Sequence, residues 1–252
     1  MHRFFQYPDQ CHEGHIRLSQ REANHATKVL RLRIGDRFVI LDGEGQEILC
    51  QADSIDKQGV SGRVVSRTAH PPLPCELILI QAVAKGKSMD LIVQKATELG
   101  CRKIIPVLSE RSVVQWDEAE RLSKQDKWQT LAIEAIKQCG QPWLPEVAMP
   151  LPLEAFIAGG LVPRQDLSLV ASLQPDAVHP RRHFDQFRQE HQRTPLQLSV
   201  WIGPEGDFTP AEINQIKALP ALPITLGNLI LRSETAAIYA LSIANYELQS
   251  LD

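Results

Sequence analysis

Three prolines in five residues, His70-Pro-Pro-Leu-Pro74, divide this chain into stretches of different periodicity. Proline gives the sheet ladder no N–H and fixes φ, so no strand continues through such a segment. Before it, apolar and polar residues alternate as in strands: Arg37-Phe-Val-Ile-Leu41, Gln46-Glu-Ile-Leu-Cys50 and Val60-Ser-Gly-Arg-Val-Val65. The turns Asp42–Gly45 and Asp56–Gly59 part them. A helix precedes them, running to about Leu30, with Ser19 as cap, Glu22 reaching back to it, and Leu18 placed to staple onto Ala23. Residues 1–70 read as a small β-barrel-like domain, and residues 71–252 as a second domain.

The second stretch alternates strands with helices. Leu77–Val83 is a buried-type strand, followed by a helix capped by Ser88 with Met89, Ile92, Val93, Ala96 and Leu99 at helical spacing and Gly100 as its stop. Arg102–Leu108 is the next strand. Asp117 and Glu120 open a longer helix that carries Trp128, Leu131, Ala132, Ala135, Ile136 and Cys139 on one side and ends at Gly140. Leu167–Ser172, Gln197–Ile202 and Ile224–Leu226 are further strands, and Ser233 caps a last helix rich in alanine. Such alternation builds a mainly parallel α/β sheet.

Composition excludes several classes. Charged residues make up 23% of 252 and the net charge is −3, so the whole chain is not a polyelectrolyte binder. One zone differs: between Gly14 and Ile40 six Lys/Arg (Arg17, Arg21, Lys28, Arg31, Arg33, Arg37) face only Glu22 and Asp36. That local excess points to an anionic partner gripped at one place. Five scattered cysteines without C-x-x-C spacing form neither a disulfide framework nor a zinc cluster, which fits a reducing cytoplasm. No leader-like apolar region opens the sequence and no apolar run reaches membrane length. His179 and His183 have helical i,i+4 spacing, but no Glu or Cys nearby completes a ligand set. A solvated, RNA-facing helix is expected there and no metal.

The most specific local chemistry lies in Ile202-Gly-Pro-Glu-Gly-Asp-Phe-Thr-Pro-Ala-Glu-Ile213. A strand ends in two glycines around a carboxylate. Thr209 then caps a helix, Pro210 fills its first position, Glu212 closes the capping box, and Phe208 faces Ile213. So much local specification at a strand's carboxyl end marks a ligand loop. A second such junction runs from Leu226 to Glu234. Nucleotide-fold alternatives fail: Gly86-Lys-Ser88 imitates a P-loop tail, but the first glycine of that motif would fall at Gln81. Gly43-Glu-Gly45 lacks the third glycine of a dinucleotide fingerprint and opens no helix.

Four segments together, Ile202-Gly-Pro-Glu-Gly206, Leu226-Gly-Asn-Leu-Ile-Leu-Arg-Ser-Glu-Thr-Ala236, Gln94-Lys-Ala-Thr-Glu-Leu-Gly100 and Gln138-Cys-Gly-Gln-Pro142, resemble the RsmE family of the SPOUT class. Its members make 3-methyluridine in small-subunit (16S) ribosomal RNA. The resemblance spans nearly the whole chain, because the N-terminal part is similar to that family's PUA-like domain. It implies a C-terminal trefoil-knotted α/β domain, a homodimer, and S-adenosyl-L-methionine as cofactor. It places cofactor contacts on Leu173, Ile202, Gly203, Glu205, Gly206, Leu226, Gly227, Leu231 and Arg232. Leu229 departs from the resemblance, which leads one to expect arginine there.

Uridine N3 carries a proton and lies on the pairing edge, so the base must be unpaired or flipped before attack. As the proton leaves, negative charge spreads onto the uracil oxygens. The expected roles are Arg232 as the donor stabilising that charge and Glu234 as the group that orients it or accepts the proton. Arg17, Arg21, Lys28, Arg31 and Arg33 are the expected grip on 16S rRNA or the small subunit. Two other readings stay open: a ribose 2′-O-methyltransferase of the same class, and a non-catalytic RNA-binding assembly factor.

Overall fold

The computed structural model describes residues 1–56, 59–112, 114 and 116–249. Residues 57 and 58, within the turn expected at Asp56–Gly59, lie outside them. Contacts divide the chain into two units: Met1–Pro72 with Ile133–Leu144, and Leu73–Ala132 with Pro145–Asp252.

The first unit holds β1 (His2–Phe5), β2 (His15–Arg17), α1 (Gln20–Asn24), β3 (Arg37–Leu41), β4 (Gln46–Asp56) and β5 (Gly59–Ala69). They form a five-stranded sheet in the order β1-β3-β4-β5-β2, with β1 parallel to β3 and the other pairs antiparallel. Strands β4 and β5 run on past the expected Cys50 and Val65, because each supplies the other's ladder partners through two register shifts. Phe4, Ile16, Phe38, Ile40, Ile48 and Cys50 form the core, with Phe4 edge-on to Phe38 at 5.5 Å.

The helix at Ser19 begins as expected, its hydroxyl accepting from Glu22 N–H at 3.4 Å, and continues as a π-helical turn to Val29. Glu22 does not reach back to complete the box. The Ser19 N–H is already taken by Gln6 Oε1, and the Glu22 carboxylate is buried against Lys137 Nζ at 2.8 Å. Away from water a carboxylate gains more from a cation than from a backbone donor. Lys137 also holds Glu134, which in turn holds Arg21.

The second unit contains β6 (Glu76–Ala82), α2 (Ser88–Glu98), β7 (Cys101–Leu108), most of α3 (Glu118–Cys139), β8 (Glu146–Val147), β9 (Leu151–Pro152) and α4 (Leu153–Ala158). There follow β10 (Leu167–Ala171), α5 (Pro180–His191), β11 (Gln197–Ile202), α6 (Pro210–Ala218), β12 (Leu222–Ile224) and α7 (Ser233–Leu248). The sheet order is β12-β10-β11-β6-β7-β8, with β9 also on β7, and every pairing is parallel. The central strands β6 and β11 are almost wholly buried, as strands covered on both faces of a parallel sheet are.

Several local expectations shift. Strand β12 ends at Ile224 rather than Leu226, since its partner β10 stops opposite it at Ala171. Thr225 Oγ1 then accepts from Gly227 N–H at 3.2 Å and turns the chain. Helix α2 starts without a side-chain cap at Ser88, its first turn being closed by backbone bonds to Lys85 and Lys87. Cys139 is exposed, because it stands on the last turn of α3. The capping boxes at Asp117–Glu120 and Thr209–Glu212 form as expected. The i,i+4 histidines are used structurally. His179 Nδ1 accepts from Arg181 N–H as the cap of α5, and His183 Nε2 lies 3.2 Å from the Pro223 carbonyl.

Removing the ammonium that Glu22 is buried against leaves an uncompensated charge. Lys137→Ala is therefore expected to destabilise the first unit by about 3–5 kcal/mol, measured by denaturant unfolding; a loss below about 1 kcal/mol refutes this account of the pair.

Candidate active site

Because all strands of the second sheet point one way, the loops leaving β10, β11 and β12 emerge side by side. Between them lies an open cleft enclosing about 570 Å³, its mouth included. Leu173, Ile202, Gly203, Glu205, Leu226, Gly227 and Leu231, all expected at a cofactor site, line it. Gly206 and Arg232 do not. Ala171, Pro204, Asp207, Thr225, Ile230 and Ala236 also line it and were not singled out by the sequence, and Leu229 and Ser233 line it without having been expected as cofactor contacts.

Each loop has its own physical brace. A Cβ on Gly203 would stand 3.0 Å from Asp207 Oδ1 and 3.2 Å from Phe208 N, so the β11 loop closes on itself only with glycine there. Asp207 sits in the left-handed region at φ 61°, with its carboxylate accepting from Phe208 N–H at 2.8 Å. Glu205 accepts from Lys85 N–H at 3.1 Å, and Arg111 donates to the Gly206 carbonyl. Glu212 accepts from Glu110 N–H at 2.8 Å. In the β12 loop Gly227 takes φ 114°, a conformation L side chains rarely adopt.

The start of α7 differs from expectation. Arg232, with extended backbone, occupies the cap position, and its side chain makes no capping bond. Ser233 is the first helical residue, buried, with its hydroxyl donating to the Gly203 carbonyl at 2.8 Å instead of serving the helix. A buried hydroxyl that already has a strong acceptor on the neighbouring loop has no reason to turn back. Arg232 is exposed, Glu234 is half-buried beyond it, and among the described residues neither makes a side-chain hydrogen bond or ion pair.

The four buried cysteines offer no ready thiolate. Burial pushes Cys11 up to about 11, and Cys50, Cys75 and Cys101 up to about 12. In the first unit Arg17, Arg21, Lys28, Arg31 and Arg33 are exposed, but Arg21 is paired with Glu134 at 2.9 Å. Arg31 holds a left-handed backbone at φ 55°.

Residues 71–245 match the model of an RNA methyltransferase domain, and residues 18–65 that of an RNA methyltransferase PUA domain. The ribosomal RNA small subunit methyltransferase E of Synechocystis sp. is 30% identical over 243 residues, covering 96% of this chain and 77% of that protein. This chain belongs to the ribosomal RNA small subunit methyltransferase E family. Its Bacillus subtilis member is likewise 30% identical, over 91% of this chain and 89% of that protein. A methyltransferase of Legionella pneumophila, solved with the bound cofactor SAM, superposes with a TM-score of 0.85 at 29% identity, covering 97% of this chain and 96% of that one. The architecture is the α/β methyltransferase fold with an N-terminal PUA-like domain. No helix among the described residues is long and apolar enough to cross a membrane.

Proposed function

We propose that this chain transfers a methyl group from S-adenosyl-L-methionine to N3 of a uridine in 16S ribosomal RNA of the small subunit. The observation that carries this reading is the cleft formed by three parallel strand ends, in a chain whose family acts on small-subunit rRNA. The donor set suits the cofactor. Leu173, Leu226, Leu231 and Ile230 offer apolar surface for a flat base. The carboxylates of Glu205 and Asp207 stand where an ammonium or sulfonium is favoured. Bound there, the cofactor supplies an electrophilic methyl.

The residues of this chain do the rest. Gly203 and Gly227 set the loop backbones that hold the cofactor. Arg232, exposed at the helix start, is the donor for charge developing on the uracil oxygens, and Glu234 orients it or receives the N3 proton. Residues 1–70 serve as the RNA-binding domain and residues 71–252 as the methyltransferase domain, in the cytoplasm. Lys28, Arg31 and Arg33, with Arg17 and Arg21, grip RNA phosphates.

A homodimer belongs to the same reading. Leu226, Leu229, Leu231, Ile238 and Tyr239 line an open apolar groove beside α7, and Leu229 and Ile230 are 77% and 80% exposed. Apolar surface of this kind at a folded site is usually covered. The trefoil threading implied by the resemblance also belongs here, supported by the return of the chain from edge strand β12 to pack α7 beside β6, β11 and α2.

Four measurements test this reading. Small-subunit rRNA from a strain lacking the protein should lose 3-methyluridine in nucleoside mass spectrometry and regain it with the wild-type chain, while Arg232→Ala, still folded and binding cofactor, should lower turnover at least about a hundredfold. Loss of a ribose-methylated nucleoside instead assigns the other chemistry. Lys28→Gln with Arg33→Gln should weaken RNA binding and reduce the salt slope by about two; an unchanged slope removes these residues from the interface. Sedimentation should give twice the chain mass, and Leu229→Asp with Ile230→Asp should shift it to the monomer.

A further inference from the structure

Gln81 lies at the carboxyl end of β6, in register with Ile202 on β11 and Pro106 on β7. Its side chain is fully buried. Its amide Nε2 donates to Ser233 Oγ at 2.9 Å and to the Ala82 carbonyl at 2.8 Å. Ser233 Oγ in turn donates to the Gly203 carbonyl at 2.8 Å. The polarity of this chain of bonds is fixed. The hydroxyl proton is committed to Gly203, so Ser233 can only accept from Gln81. Facing two acceptors, the amide must present nitrogen. Gln81 Oε1 is then left buried without a partner among the described residues.

A leucine or methionine would fill this place without burying an unpartnered amide oxygen, at the loss of the donor to Ser233 Oγ and the Ala82 carbonyl. A polar group kept in a core at such a cost to stability marks a functional constraint. What the amide reaches tells which one. Ser233 stands between Arg232 and Glu234 at the start of α7, and Gly203 heads the β11 loop and lines the cleft. The Ser233 hydroxyl is the link that ties the Gly203 carbonyl of that loop to the start of α7.

We infer that Gln81 is a positioning residue for methyl transfer: through the Ser233 hydroxyl it fixes the Gly203 carbonyl of one cleft loop and the Arg232–Glu234 helix start that follows the other. This rests on the function proposed above. Gln81 touches neither cleft nor substrate. It sets the relative placement of the two loops, on which aligning an acceptor atom with the methyl depends.

Substitutions that preserve size separate this role from packing. Gln81→Met removes both donors. Gln81→Glu offers a carboxylate that can only accept, drawing the Ser233 proton away from Gly203. Both should weaken S-adenosylmethionine binding by calorimetry and lower kcat, each by about ten- to a hundredfold, with KM for unmethylated small-subunit rRNA unchanged. Ser233→Ala, which deletes one oxygen, should reproduce the loss. Gln81→Met added to it should cost little more, and Ser233→Thr should restore function. Variants whose melting temperature falls while cofactor affinity and kcat at low temperature stay within about twofold of wild type overturn the inference; so do additive effects of Gln81→Met and Ser233→Ala. If Gln81→Met fails to fold, the Ser233→Ala and Ser233→Thr pair decides. Wild-type protein that binds no S-adenosylmethionine overturns the functional reading itself, whereas wild-type binding with unaffected variants overturns only the role of Gln81.

Discussion

Every strand of the second unit's sheet runs in the same direction, and most of what this protein can do follows from that constraint. Parallel strands need crossover connections, so helices cover the sheet and its central strands are buried on both faces. The carboxyl ends of β10, β11 and β12 then open together at one edge. There the backbone leaves the ladder, and loop N–H and C=O groups are free to meet a ligand. The cleft is a consequence of strand direction before it is a consequence of any one side chain.

What the loops do with that edge depends on short polar links across it. Lys85 N–H on Glu205, Arg111 on Gly206 and Glu110 N–H on Glu212 brace the β11 loop from two other loops. The Ser233 hydroxyl ties the same loop to α7. In the first unit the analogous structural task falls to charge, where Glu22, Lys137, Glu134 and Arg21 form a network around one buried ion pair. Both arrangements take side chains whose local sequence context suits a helix cap and turn them to a distant partner.

Much of the architecture was legible in the sequence. The segments Leu77–Val83 and Gln197–Ile202 read as strands because they are apolar-rich, carry β-branched residues and are too short for a helix. The box at Thr209–Glu212 closes as written, since all its partners lie within one turn. Short elements such as β1, β8, β9 and α4 were not legible, because two to six residues carry no measurable period. The misplaced cap at Ser233 has a related cause. A local pattern names a donor and an acceptor within four residues and cannot see a carbonyl thirty residues away.

Legible from the residues alone were the strand–helix alternation beyond Pro74, the two glycine-bearing loops and the family. These are set by periodicity and near-neighbour hydrogen bonds. Tertiary structure alone decided that Leu173, Gly203 and Leu226 line one cleft, that Arg232 caps α7 outside it, and that Gln81 reaches Ser233. Such contacts join residues far apart in sequence. Only the order and register of strands in the sheet, which no local pattern encodes, brings them within hydrogen-bonding distance.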